Sequence, residues 1–128
     1  MTMTEIELDA RAASSTGLEP QLAGALAYLA GPFSGVIILL AERSNRFVRF
    51  HAWQAIIGLG GLGFIAVALL LSAFLGLFFS PTAFRTLYVM AGIAAVAWLA
   101  AWAMCLVKAF GGSAWKLPFA GSLAARRA

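Results

Sequence analysis

The placement of charge constrains this chain more than any other feature. No charged residue falls between Gln21 and Ala41, Ala52 and Phe84, or Thr86 and Val107, stretches of 21, 33 and 22 residues. About 20 apolar residues in a helix cross the ~30 Å hydrocarbon core of a bilayer, so the first and third stretches each predict one crossing. The middle one would make a helix of about 50 Å, too long for one straight span and too short for two with a turn. Ser80-Pro81 supplies a stop, because proline cannot continue the helical hydrogen-bond ladder. A crossing from about Gly58 to Phe79 remains, approached through residues 52–57. No segment shows the period-two alternation of a barrel strand. The predicted fold is all-α and integral to a membrane, with three transmembrane helices and an interfacial elbow before the second.

Composition excludes the other classes. Hydrophobic residues make up 62% of the 128 and charged residues 11%, whereas a small soluble domain must cover a large relative surface with polar groups. A lone cysteine leaves no disulfide within the chain. The predicted organisation is an acidic tail over 1–20, a three-helix domain over 21–110, and a basic, aromatic, interfacial tail over 111–128. The first tail carries Glu5, Glu7, Asp9 and Glu19 against Arg11. It lacks the basic opening of a secretory signal. It is expected to be mobile, with a short helix around 5–13.

Lysine and arginine set the expected orientation. Arg43, Arg46, Arg49, Lys108, Lys116, Arg126 and Arg127 fall on one side of the three-span topology, and Arg11 and Arg85 on the other. The positive-inside rule then predicts a cytoplasmic-membrane protein with the N-terminus outside and the C-terminus in the cytoplasm. The net charge of +4 describes one membrane face, which suits anionic lipid headgroups rather than nucleic acid.

Small residues mark the expected helix contacts. Ala27, Gly31 and Gly35 recur every fourth position, Gly58 opens GLGGLG, and Ala91 and Ala95 form a pair in the third helix. Such stripes let helices approach closely where lipid offers no hydrophobic gain, and partner helices are the expected neighbours. The glycines of 58–63 are not a dinucleotide loop, since no strand precedes them. Pro32 predicts a kink near Tyr28–Gly31, with Ser34 placed to rescue a freed carbonyl. Trp98 and Trp102 share one face, where lipid contact is expected, with a partner or pigment as the alternatives.

The elbow SNRFVRFHAWQAI offers Ser44 or Asn45 as a helix N-cap. Its Arg43, Arg46, Phe47, Arg49, Phe50 and Trp53, with Trp115 and Lys116 of the C-terminal tail, read as anchors at headgroup depth. His51 has two readings: a ligand to a pigment or haem, or one more polar aromatic at the interface. Gly111-Gly112 should end the third helix. The tail beyond either returns to the headgroup layer or docks on a partner.

The run AYLAGPFSGVIILLAERSNRFVRFHAWQAI, two further apolar helices, and KAFGGSAWKLPFAGSLA resemble a family of small bacterial membrane proteins of unassigned function. That family is similar to the Tic-type import component of the chloroplast inner envelope. The likeness covers about residues 24–125, with NRFVRFHAWQ and WKLPFAGSLA as its most specific pieces. Ser122 stands where relatives carry an acid. The resemblance implies a homo-oligomeric transport or protein-translocation component as one function.

The residues themselves point elsewhere. Coupled transport needs an ionisable group within the membrane, and Glu42 sits only at its edge. No nucleophile–base pair or carboxylate pair can be assembled from the sequence. The leading expectation is a non-enzymatic accessory, assembly or scaffold subunit without a cofactor. Its partner would be itself or a larger complex, energy-transducing or photosynthetic among the candidates.

Overall fold

The structure is a computed structural model that describes residues 5–128; residues 1–4 of the acidic tail lie outside it. All the regular elements among the described residues are helical: α1 (Glu5–Leu8), α2 (Pro20–Leu29), α3 (Pro32–Ala41), α4 (Arg46–Gln54), α5 (Gly60–Gly76), α6 (Pro81–Phe110) and α7 (Ala120–Arg127). A 3₁₀ turn, Asp9–Arg11, follows α1, and a π-helical turn, Ala55–Leu59, joins α4 to α5 without a break.

Among the described residues, two helices are long and apolar enough to cross a membrane: Arg46–Gly76, of 31 residues, and Pro81–Phe110, of 30. At 1.5 Å per residue each is about 45 Å long. They pair as an antiparallel hairpin whose turn is the expected stop. Ser80 Oγ accepts from Ala83 N at 3.0 Å, and Pro81 occupies the first turn of α6. Gly76 permits close packing here, since a methyl group on it would meet Phe84 N at 3.3 Å. α6 ends at Gly111, and Gly112 turns the chain with φ 76°.

The first apolar stretch is not a crossing. Gly31, with φ 62° and ψ −132°, reverses the chain between two helices of ten residues each. Glycine reaches that backbone region without a Cβ clash, and Pro32 then starts α3 at the position where its missing N–H costs nothing. The expected kink is therefore a full reversal. Ser34 Oγ accepts from Ala30 N and donates to Ala27 O, both at 2.8 Å, so it supports the turn as expected. Ala23 of α2 and Ile38 of α3 meet the same cluster around Phe47 and Val48, which shows the two helices running antiparallel beside α4.

This reversal corrects the expected topology. The N-terminal segment and the 42–51 connection lie at one end of the molecule, not at opposite ends. Ser14, Ser15 and Thr16 bond to the Glu42 carboxylate, and Glu5 pairs with Arg46 at 2.7 Å. The C-terminal tail joins them, with α7 packed on α4. Eight of the nine lysines and arginines thus gather at this basal end and only Arg85 sits at the other. Arg11 changes side because α2 and α3 return the chain to where it began.

Candidate functional site

Polar groups in a membrane interior must find partners within the protein. Tyr28, His51 and Gln54 are all fully buried and do so together. His51 Nε2 lies 3.0 Å from the Ser113 carbonyl oxygen, which can only accept, so Nε2 carries the proton. Nδ1 is then the acceptor, and the Tyr28 hydroxyl donates to it at 2.5 Å. Gln54 Nε2 donates to Tyr28 Oη and to Trp115 O, each at 2.9 Å, while Gln54 Oε1 accepts from Leu117 N at 2.9 Å. The network ties α2 and α4 to the tail over 113–117. Phe47, Phe50 and Tyr28 meet the His51 ring edge-on, with centroids 4.5, 5.0 and 5.3 Å away.

With both ring nitrogens engaged, His51 has no lone pair free for a pigment, haem or metal. It is not an interfacial aromatic either, being completely enclosed. Phe47 and Phe50, expected as headgroup anchors, are buried around it. Arg43, Arg46 and Lys116 are exposed and Arg49 is half-buried. Trp53 is half-buried, with the Arg127 guanidinium 5.3 Å above its ring. Trp115 packs against the core beside Cys105 and Ala109. The C-terminal tail docks on its own bundle.

The two tryptophans of α6 also turn inward. Their rings stack at 6.4 Å, 9° from parallel. Trp102 Nε1 donates to Tyr28 O at 2.9 Å, a carbonyl that also accepts from Gly31 N where α2 ends, and Trp98 Nε1 donates to Leu59 O at 2.9 Å, within the π-helical turn. Each indole therefore ties α6 to the backbone at an irregular step, one at the end of α2 and one in the π-helical turn.

Most of the small residues expected to meet partner helices are used inside the chain. Ala27 is fully buried. A methyl group on Gly31 would lie 3.2 Å from Trp98, one on Gly35 3.0 Å from Ala52 O, and one on Gly58 2.7 Å from Leu117 Cδ1. Ala91 is buried and Ala95 is exposed. Ala91 and Ala95 line a groove of about 390 Å³ between α5 and α6, with Ala66, Val67, Leu70 and Gly92.

Glu42 forms a second, unexpected site. It is fully buried and accepts from Ser14 Oγ, Ser15 N and Oγ, Thr16 N, Ser44 N and Oγ, and Asn45 N. Burial alone would raise its pKa. The hydrogen bonds from Ser14, Asn45 and Ser15 outweigh that and lower it from 4.5 to about 2. Asn45 caps α4 as expected, accepting from Val48 N at 3.2 Å, while its amide donates to Asp9 O at 2.7 Å. Asp9 Oδ2 in turn accepts from Arg46 N at 2.8 Å, a favourable place for an anion at a helix N-terminus. The 14–16 run of hydroxyls was the available sequence signal for this site.

A family model described as the magnetosome magnetite crystal formation protein family, MamF/MmsF, matches residues 18–124. The chain belongs to this family. The matched segment runs from just before α2 through most of α7, so it includes the Tyr28–His51–Gln54 network and Glu42 but not Ser14, Ser15 and Thr16. A UPF0132 membrane protein of Archaeoglobus fulgidus is 33% identical over 107 residues, which cover 84% of this chain and 93% of the relative. Two UPF0132 membrane proteins of Methanocaldococcus jannaschii are 33% identical over 111 residues and 32% over 110, covering 87% and 86% of this chain and 90% and 71% of the relatives. No solved structure matches. This MamF/MmsF family member is a membrane protein. These named relatives are archaeal, none is described as an import component, and the resemblance to the Tic-type component gains no support from them.

Proposed function

We propose that this MamF/MmsF family member is a non-catalytic scaffold subunit that presents the distal α5–α6 face to another transmembrane helix. One observation carries the reading: the polar chemistry is spent internally, while the α5–α6 groove stays open. His51, Gln54 and Glu42 are each saturated by partners within the chain, which supports a role without catalysis. Gly92 in the groove floor has nothing within 4 Å of where a Cβ would stand, so a neighbouring helix has room to seat there. The family description concerns magnetite crystal formation. For this chain, membrane organisation suits that description better than direct iron binding, because Glu5, Asp9 and Glu42 are already engaged by Arg46 or by hydroxyl and amide donors. The basal end, rich in lysine and arginine, would face the cytoplasm with both termini.

Purification of the full chain in mild detergent tests this. A stoichiometric complex, with itself or another membrane protein, is expected, and Gly92→Leu should abolish it while leaving the monomer folded. Association unchanged by that substitution would refute the docking face, and reproducible conductance of the reconstituted chain would replace the scaffold reading with transport. Cysteines introduced at Ser122 and Thr82 report orientation: Ser122→Cys should label from the cytoplasm and Thr82→Cys from outside.

A further inference from the structure

We infer that the chain is a membrane wedge that favours bilayers curved with the basal end on the convex side. The Gly31 reversal fixes the depth of the α2–α3 hairpin. At ten residues each, its two helices reach about 15 Å, half of a ~30 Å hydrocarbon core. Its tip lies against Trp98, where a methyl group on Gly31 would be 3.2 Å away. On α6, Trp98 stands thirteen residues from Arg85 and ten from Lys108, or about 20 and 15 Å along the axis. The tip therefore stops near the bilayer midplane.

The hairpin lies in hydrocarbon and not above it. The outer face of α3 exposes Phe33, Ile37 and Leu40 at 77, 66 and 75%, a surface that suits acyl chains and not water. Among the described residues, the basal leaflet thus holds α2, α3, α4 and α6, with α7 packed on α4, while the distal leaflet holds only α5 and α6. Helices are about 10 Å across, so the basal cross-section is roughly twice the distal one. A body wider in one leaflet displaces more lipid there, and bending towards that leaflet relieves the mismatch. Exposed Arg43, Arg46, Lys116, Arg126 and Arg127 at the wide end hold anionic headgroups in the same leaflet.

The test reconstitutes the full chain sparsely into phosphatidylcholine–phosphatidylglycerol vesicles, small sonicated and large extruded. Protease access to the C-terminal tail reads orientation in each. Small vesicles should be enriched in chains with the basal end outward by roughly threefold over large ones, the ratio given by a preference of order RT. Chains with the basal end inward should show the opposite bias. An orientation ratio independent of vesicle size overturns the wedge, as does a second copy on α5–α6 that equalises the two leaflets and removes the bias. Gly92→Leu, which blocks helix docking, should keep the size preference. The failure of the docking face and that of the wedge are therefore separately visible.

Discussion

The basal and distal halves of the molecule are both apolar, yet they are built on opposite plans. In α4, six of nine residues are buried, among them His51 and Gln54. In α5, two of seventeen are buried, Ala73 and Gly76. The more hydrophobic helix is the exposed one. In water this would be inverted, but lipid tails are as apolar as leucine, so hydrophobicity does not draw a side chain inward. Hydrogen-bonding need and small size draw in His51, Gln54, Ala73 and Gly76, and Phe47 and Phe50 are enclosed with the His51 ring they pack on. The basal half is consequently dense in polar contacts, with Trp53 Nε1 buried and left without a partner, and the distal half is a bare hairpin free to meet lipid or another helix.

That contrast can be broken at several points. The largest effect is expected from Gln54→Ala, which leaves Tyr28 Oη, Trp115 O and Leu117 N short of a partner. Unpaired buried groups cost about 1–3 kcal/mol each, so unfolding stability in detergent should fall by about 4 kcal/mol and the C-terminal tail should become protease-sensitive. An unchanged tail would mean that packing alone holds it.

Next in size is Glu42. Its carboxyl stays ionised in the folded chain down to about 2, against 4.5 when unfolded. Between those values the unfolded chain binds the proton and the folded one does not, so acid favours unfolding. The contribution is fully present above pH 4.5 and is lost as pH falls towards 2. Glu42→Gln should cost about 2–3 kcal/mol at neutral pH, and the melting temperature of the variant should fall less steeply below pH 4.5 than that of the unaltered chain. Parallel pH curves would remove Glu42 as the anchor of residues 14–16.

Trp98→Phe keeps the stacked ring but removes the donor to Leu59 O, and should cost about 1 kcal/mol. Amide exchange in the π-helical turn should rise with it. The smallest effect belongs to the distal half: Gly92→Leu should change monomer stability by less than about 0.5 kcal/mol, as expected away from packed or polar sites. A large loss there would show that the hairpin face is already covered.

Much of this contrast was legible one residue at a time. Ser80-Pro81 marked the turn, Ser44-Asn45 the cap of α4, Gly111-Gly112 the end of α6, and Ser34 the support for the Pro32 step, because each acts through backbone geometry within a few residues. Gly31 was visible as a small residue before a proline. Its positive φ was not, since the same Gly-Pro step fits a kinked span or a reversal. The buried network was hidden for a different reason. Tyr28, His51, Gln54 and Ser113 lie up to 85 residues apart in the sequence, and nothing local joins them.

The sequence by itself therefore determined membrane residence, the long hairpin around Ser80-Pro81 and the absence of charge from its interior, because transfer of charged groups into hydrocarbon sets those limits residue by residue. Only the tertiary structure decided that the first apolar stretch returns to its starting end, that residues 5–16 and the C-terminal tail share the basic end, and that His51 is enclosed. Those outcomes depend on which buried donor finds which carbonyl, and such partners are settled by packing across helices and not by the order of residues along any one of them.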